Sequence, residues 1–391
     1  MPRTALIIAA RVAAMAALAS WGAAAGSPHL DPGRVRTGCP ACHTGHGASR
    51  SPMLDEPQVT LCLRCHGSRG DADSEARRGV LAPAASPPLL GTALAQPWTH
   101  PLTRDAFSSE EVGAITCTSC HAPHRGVSTG LGATATAAAG VQRVSPRDPT
   151  QLEYQLCEGC HGSAGSATQS LLDMSRLLSP ANRSFHPVEG VAAERSPSLL
   201  PGLSGKEVNC TDCHGNSDVE GPRGTHGSAF PGLLRFNFTA SDGTPESVAT
   251  YALCYACHDR NAVLAGASFP EHRMHIVEEQ ASCATCHNSH GSVGNRALIR
   301  FGEETTLAGV TPAASGKLAF VSTGPGSGQC YLTCHGKNHD PLGYGNGSAQ
   351  TEWLTPVLGR AVRRTLRALP GPAPARTGHN PKHRDGQPYV P

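Results

Sequence analysis

The hydrophobic and polar pattern predicts short helices separated by long irregular stretches. One helix is predicted to begin at Thr244-Pro245-Glu246, since a hydroxyl at the N-cap and a Pro in the first turn favour a helix start, and to run through Tyr251 into Cys254. Stretches rich in Ala, Pro, Gly and Ser predict loops between such segments. They are residues 68–96, 126–147, 191–206 and 292–328.

The amino terminus has the pattern of a secretory signal. Arg3 and Arg11 precede a run of small apolar residues, 12–21, and residues 23–25 (Ala-Ala-Ala) form an A-x-A site. We therefore expect a signal peptide over residues 1–25 that is cleaved at its end, and a location in the periplasm, the outer envelope or outside the cell. An uncleaved anchor helix is the alternative. It would need about 20 uninterrupted apolar residues, and Arg11 interrupts the run.

The composition argues against a conventional hydrophobic core. Gly (44) and Pro (32) are abundant among the 391 residues, while aromatic residues make up only 4%. A chain with so few large apolar side chains has difficulty offsetting the entropy lost on folding. Large apolar cofactors could fill the interior instead. The formal net charge of +2 gives no indication of nucleic-acid binding.

All sixteen cysteines fall into eight motifs, here numbered 1 to 8 in chain order. The first four are Cys39-Pro-Ala-Cys42-His43, Cys62-Leu-Arg-Cys65-His66, Cys117-Thr-Ser-Cys120-His121 and Cys157-Glu-Gly-Cys160-His161. The next three are Cys210-Thr-Asp-Cys213-His214, Cys254-Tyr-Ala-Cys257-His258 and Cys283-Ala-Thr-Cys286-His287. Motif 8, Cys330-Tyr-Leu-Thr-Cys334-His335, has one extra residue between its cysteines.

C-x-x-C-H is the attachment signature of c-type haem. On a helical turn the two thiols project from the same side and can each form a thioether to one porphyrin, while the following His reaches the iron as its proximal ligand. The wider spacing of motif 8 still places both cysteines on one helical face, so we expect eight haems. Zinc sites or disulfides are alternatives. Neither explains a His after the second Cys in all eight motifs.

The motifs form four units of two motifs each, and each unit carries one His upstream of its first motif and one shortly after that motif. Units 1, 2 and 4 contain C-x-x-C-H-x-x-H, whereas unit 3 has Asn216 and Ser217 after His214-Gly215. In this arrangement the chain resembles the multihaem cytochromes with doubled C-x-x-C-H motifs, a broad family of exported electron-transfer proteins. The resemblance covers about residues 29–339.

The additional histidines of the units are the candidates for the distal ligands of the irons. The eight candidates are His29, His46, His100, His124, His186, His226, His275 and His290. His272, His339, His379 and His383 remain, of which His272 competes with His275 and His339 is a spare near motif 8. Methionine is the competing ligand type, but Met53, Met174 and Met274 do not recur in the units. We therefore expect low-potential haems with two His ligands.

The position of three distal candidates predicts close haems. His46, His124 and His290 each lie three residues after the proximal His of a first motif. They cannot easily reach the opposite face of the same porphyrin, so we expect each to bind the iron of a neighbouring haem. Two histidines on one short segment would then hold two haems together, which favours electron transfer between them.

The expected fold is a multihaem cytochrome c of mostly short α-helices and loops around a line of haems, with little β-structure. The expected segments are the signal peptide, four haem pairs (26–96, 97–182, 183–268 and 269–345) and a tail, 346–391. Within the tail, residues 352–369 predict a basic amphipathic helix that packs on the last haem or contacts anionic lipid or a partner's acidic face. Residues 370–391 are Pro-rich and are predicted to be disordered.

We expect an electron carrier whose partners are other redox proteins, such as cytochromes, an outer-membrane conduit or a quinol-side donor. No catalytic residue is predicted. A multihaem reductase with one open iron is the first alternative, although no motif ends in Lys, the variation common in such enzymes. A subunit of a cytochrome filament is the second.

Overall fold

The computed structural model describes residues 27–45, 53–125, 145, 147–148, 151–163, 172–192, 195–303 and 309–345. The predicted signal peptide, His46 and the predicted amphipathic helix lie outside the described residues. None of the helices in the described part of the chain combines the length and the hydropathy of a membrane-spanning segment.

The described helices are short. They are α1 (Gln58–His66), α2 (Arg69–Arg77), α3 (Gly91–Leu94), α4 (Cys117–Cys120), α5 (Glu153–His161), α6 (Met174–Leu178), α7 (Cys210–Cys213), α8 (Ala252–Tyr255), α9 (Arg260–Leu264) and α10 (Cys283–Cys286). Single 3-10 turns form at Pro28–Leu30, Cys39–Ala41 and Pro231–Leu233, and a π-helical turn forms at Met274–Glu278.

Two helices differ from the sequence prediction. The stretch 68–96 is not a loop, because α2 forms there with a capping box: the N–H of Asp71 donates to Ser68 Oγ (3.2 Å) and the N–H of Ser68 donates to Asp71 Oδ2 (2.8 Å). Conversely, the helix predicted from Thr244 begins only at Ala252. Ser247 and Thr250 bond locally to the backbone instead, with Thr250 Oγ1 donating to the Pro245 carbonyl (3.0 Å).

The predicted low β-content is wrong for the end of the described chain. β3 (Val310–Thr311), β4 (Ala319–Gly324), β5 (Ser327–Cys334) and β6 (Lys337–Tyr344) form an antiparallel sheet with β5 at its centre. β6 pairs with β5. In addition, β3 pairs with the carboxyl end of β5, and β4 pairs with the part of β5 nearer its amino end. Phe301, Val310 and Leu332 form a small buried core against this sheet. The stretch 292–328, predicted as a loop, therefore contains β3, β4 and the first residues of β5.

The turn between β5 and β6 consists of His335 and Gly336. Both residues have positive φ angles, 49° and 74°, and the flanking residues Cys334 and Lys337 pair directly across the hairpin. Two residues with positive φ are the requirement of a type I′ turn, whose twist matches that of the strands. His is among the non-glycine residues that tolerate this region of the backbone.

Neighbouring units are joined by the same contact three times. The segment that carries the upstream His of one unit bonds to the segment after the first motif of the next unit. Ser27 donates to the Pro123 carbonyl, and the backbones of Trp98 and Ser228 exchange hydrogen bonds of 3.1 and 2.8 Å. In the third case the contact is a two-stranded ladder between β1 (Ser184–Phe185) and β2 (Gly291–Ser292). The repeat of the sequence is therefore also a repeat of the packing.

Candidate haem-binding site

Motifs 1 to 7 form helical turns, as their spacing predicts. In five of them a backbone hydrogen bond closes the turn. The N–H of the motif His donates to the carbonyl of the first Cys. These distances are 3.0 Å for His43, 2.9 Å for His121, 2.8 Å for His214, 2.9 Å for His258 and 2.9 Å for His287. His66 and His161 are the last residues of α1 and α5. One turn therefore presents two thiols and an imidazole together.

Motif 8 forms no helical turn, so the expectation that its two cysteines share a helical face is wrong. Cys330 and Cys334 lie on β5, with Leu332 between them. Side chains two residues apart on a strand share a face. The two cysteines share one face after all, but through strand alternation. Both pack on the small core around Leu332.

A continuous cavity of about 3690 Å³ runs past all eight motifs. This volume is several times the roughly 300–1,000 Å³ of an ordinary small-molecule site. All sixteen cysteines line the cavity, and none is in a disulfide. Since His46, His379 and His383 lie outside the described residues, seventeen of the 20 histidines are described. Of these seventeen, all but His335 line the cavity.

The motifs follow one another along this cavity in chain order. The first cysteines of motifs 2 and 3, Cys62 and Cys117, are hydrogen-bonded through their thiols, which raises the pKa of Cys62. The same contact joins motifs 4 and 5 and motifs 6 and 7. Within each unit, the second Cys of the first motif lies close enough to a thiol of the second motif to interact with it electrostatically. These pairs are Cys42–Cys62, Cys120–Cys157, Cys213–Cys257 and Cys286–Cys330.

The histidines of the second motifs face the upstream histidines of their own units. The ring centroids of His66 and His29 are 6.0 Å apart, and those of His161 and His100 are 6.4 Å apart. In unit 3, burial and then the nearby His186 lower the pKa of His258 to about 4.

The histidines of the first motifs face a histidine of the following unit. The centroid distances are 5.7 Å for His43–His124, 6.0 Å for His121–His226 and 6.2 Å for His214–His290. Two imidazoles bound to opposite sides of one metal ion have centroids about 6 Å apart, because each metal–nitrogen bond is about 2.0–2.1 Å long. His226 thus takes the same position in unit 3 that His124 takes in unit 2, although the C-x-x-C-H-x-x-H spacing is missing there.

In unit 4 the facing histidines include His272, which in the sequence competes with His275, and His339, which is a spare there. His272 faces the motif histidine His287 at 6.3 Å, while His275 faces His339 at 6.5 Å. Nε2 of His335 instead contacts Oδ2 of Asp242 at 3.2 Å. The sequence contains no repeat signal for His272, since no other unit has a second upstream His at this position.

Many of these rings are oriented by a bond from Nδ1. A backbone carbonyl can only accept, so an Nδ1 bonded to one carries the proton and leaves the lone pair of Nε2 free. The bonds are His66 to Pro88 (2.9 Å), His100 to Thr225 (2.9 Å), His214 to Gly232 (2.8 Å), His275 to Glu271 (2.9 Å) and His287 to Ala297 (2.8 Å). His186 makes the same kind of bond to Ser289.

Burial favours the neutral imidazole, the form that binds a metal, at several of the facing histidines. Desolvation, helped by neighbouring histidines, lowers the pKa of His226, His272 and His290 to about 4. Burial also raises the pKa of Cys213 and Cys286 to about 12, although both thiols are open to the cavity. These two thiols are therefore uncharged at neutral pH.

These residues fit covalently bound haem. A large cavity bordered by pairs of thiols and by facing neutral imidazoles provides both the thioether attachment and the iron ligands of c-type haem. The class defined by the fold and the site is therefore that of the c-type cytochromes, which transfer electrons.

Two regions of the chain, residues 33–71 and 203–263, match the family described as Doubled CXXCH motif. These matches support the multihaem c-type cytochromes as the family that the chain resembles. No curated protein matches the chain. No solved structure matches it either.

Proposed function

We propose that the protein is an exported electron carrier that holds eight haems, each iron bound by two histidines, in a single series from motif 1 to motif 8. The observation that carries the proposal is the proximity of consecutive motifs in chain order, from Cys42 near Cys62 to Cys286 near Cys330. Haem iron supplies reversible one-electron exchange. The chain contributes the spacing and the order.

The facing histidines support a carrier over an enzyme. Each motif histidine that lines the described cavity has a second histidine close to it, so the irons of motifs 1 to 7 would have no position left for a substrate. A reductase needs at least one open iron, which is the alternative that the experiment below must exclude.

The interleaved pairing supports close haems. His29 and His124 lie close enough to interact electrostatically, and they face the histidines of motifs 2 and 1. His100 and His226 are related in the same way, as are His186 and His290. Because each such pair would bind two different irons from neighbouring segments, ligation itself would fix the distance between haems.

Export and partners are part of the proposal and follow from the sequence. C-type haem attachment to a chain with the amino-terminal pattern of a signal peptide fits a periplasmic or outer-envelope protein. Partners would be other redox proteins, including cytochromes, an outer-membrane conduit or a quinol-side donor. Peripheral membrane contact would involve the basic residues of 352–369.

The test is the intact mass of the purified holoprotein, together with its reduced spectrum with and without carbon monoxide. We expect the mass of the processed chain plus eight haems, and a low-spin spectrum that carbon monoxide leaves unchanged. A carbon monoxide adduct at about one haem in eight would favour the reductase, and a colourless product after expression with competent maturation machinery would refute the proposal. Ordered fibres in micrographs would favour the filament subunit.

A further inference from the structure

Gln58 and Glu153 hold the same position in two of the helices that carry second motifs. Each is the first residue of its helix, α1 or α5, and each lies four residues before the first cysteine of the motif, Cys62 or Cys157. Both residues are buried, with exposures of 7% and 8%. The two positions therefore correspond to each other in the repeat.

Both side chains bind the first motif of the next unit through a threonine. Oε1 of Gln58 accepts hydrogen bonds from the N–H and from Oγ1 of Thr118, both at 3.0 Å. Oε1 of Glu153 accepts from the N–H of Thr211, and Oε2 accepts from its Oγ1, both at 2.9 Å. Each threonine directly follows the first cysteine of its motif, which is motif 3 or motif 5. The same arrangement therefore joins motifs 2 and 3 and motifs 4 and 5.

The two residues differ in charge although their contacts correspond. Gln58 is neutral. Both oxygens of Glu153 accept hydrogen bonds, as suits an ionised carboxylate, and its place in the first turn of α5 stabilises negative charge through the helix dipole. Its field reaches motif 5. After the bond to Cys157 and burial, the charge of Glu153 helps to raise the pKa of the Cys210 thiol.

A second pair of corresponding residues shows the same difference. In motif 3, Oγ of Ser119 accepts from the N–H of Thr116 at 3.0 Å. In motif 5 the same contact is made by Asp212, whose Oδ2 accepts from the N–H of Asn209 at 2.8 Å. Both acceptors lie two residues after the first cysteine. The junction of motifs 4 and 5 therefore has acidic residues at two positions that are neutral at the junction of motifs 2 and 3.

We propose that the charge of Glu153 lowers the reduction potentials of the haems of motifs 4 and 5, whereas Gln58 makes the corresponding contact without this effect on the haems of motifs 2 and 3. The inference rests on the proposed function, since it assumes a haem on each of these motifs. Ferric haem carries one positive charge more than ferrous haem, so a nearby negative charge stabilises the oxidised form. A unit charge about 10 Å from an iron, at an effective dielectric constant of about 20, changes the reduction equilibrium roughly tenfold, or about 59 mV for one electron.

The test exchanges the two residues in the full-length holoprotein, as Glu153→Gln and Gln58→Glu. The two side chains have nearly the same shape, and each variant has the residue already used at the other junction, so the contact with the threonine is kept. We expect spectroelectrochemical titration of E153Q to show two haem components whose reduction is favoured roughly tenfold more than in the wild type. We expect Q58E to show two components shifted by a similar factor in the opposite direction.

The matched control is Glu220→Gln, because Glu220 is exposed and does not border the cavity. Its titration should coincide with that of the wild type. Each exchange has its own expected sign, so either variant decides the question alone.

Unchanged potentials in E153Q and Q58E, with the haem number of the wild type, would overturn the inference. Shifts of the same sign in both variants would also overturn it, because they would reflect altered packing rather than altered charge. Failure of the proposed function is distinguishable, because it would appear in the wild-type protein as a haem number other than eight or as a carbon monoxide adduct.

Discussion

His290 and His214 face each other with ring centroids 6.2 Å apart and planes only 5° apart, although they belong to different repeat units. The backbone of His290 is in turn bound to the start of unit 3, since the N–H of His186 donates to the His290 carbonyl (3.0 Å). Each unit therefore completes the site of the unit before it. Such nearest-neighbour dependence is typical of repeat proteins, in which stability resides in the contacts between repeats.

Replacement of His290 by Met should change one haem and leave the others as they are. If His290 is the distal ligand of the motif 5 haem, His290→Met converts His/His to His/Met ligation. That haem's potential should then rise by a fraction of the roughly 0.8 V range that axial ligands span. Spectroelectrochemistry should resolve one component displaced upward. His383→Met is the control, since His383 belongs to no unit; equal effects in both variants would contradict the assignment.

Replacement of His272 by Gly should open the haem of motif 7. His272 faces His287 at 6.3 Å, so its loss would leave that iron with one protein ligand. We expect about one equivalent of carbon monoxide bound per molecule of reduced His272→Gly protein, and reversal by added imidazole. His379→Gly serves as the control. If His275 rather than His272 served motif 7, His275→Gly would give the adduct on motif 7 and His272→Gly would give none.

Gly291 allows a close backbone approach that a larger residue would prevent. A Cβ at this position would lie 1.8 Å from the carbonyl oxygen of Leu177, which is backbone and cannot rotate away. Gly291→Ala should therefore separate β2 from α6 and displace the adjacent His290. We expect a lower unfolding temperature and a high-spin component in the spectrum. Gly70→Ala in α2 is the control, because its Cβ meets only Ser68 Oγ at 3.6 Å. That change should be neutral or stabilising. Equal stability of both variants would refute the argument.

The sequence predicted the motif turns and the four units because their chemistry is local. A C-x-x-C-H turn closes within five residues, as the bond from His121 N–H to the Cys117 carbonyl illustrates (2.9 Å). The interleaving of units is not local. Nothing near His226 in the sequence indicates that it faces His121, since that pairing depends on how unit 3 packs on unit 2.

Two other features were missed for different reasons. The capping box of α2, Ser68 with Asp71, is visible in the sequence and was passed over because the surrounding stretch is rich in helix breakers. The sheet that contains motif 8 could not be recognised from the motif, because a C-x-x-x-C spacing puts both cysteines on one face of a helix or of a strand alike. The two positive φ angles at His335 and Gly336 decide for the hairpin.

Loss of Arg260 should destabilise the region around motif 6 in a pH-dependent manner. Glu246 is 2% exposed and accepts bonds from Arg260 Nε (2.8 Å) and Tyr255 Oη (3.0 Å), and the Arg260 bond lowers its pKa. The pair therefore stabilises the fold above the unfolded pKa of about 4.3, and this contribution is lost as pH falls through the folded pKa. Breaking a fully buried pair costs about 3–5 kcal/mol. Since Arg260 is 37% exposed, we expect about 2 kcal/mol for Arg260→Met at pH 7, declining towards zero below about pH 4.

Urea unfolding followed by Soret circular dichroism at several pH values measures this difference between wild type and R260M. The matched control is Arg273→Met, because the Arg273–Glu278 pair is long (3.9 Å) and its side chains are 63% and 60% exposed. An exposed pair of this kind contributes less than about 0.5 kcal/mol, so R273M should unfold like the wild type at every pH. A difference for R260M that stays constant from pH 7 to pH 3 would show that Arg260 acts through packing rather than through the charge of Glu246.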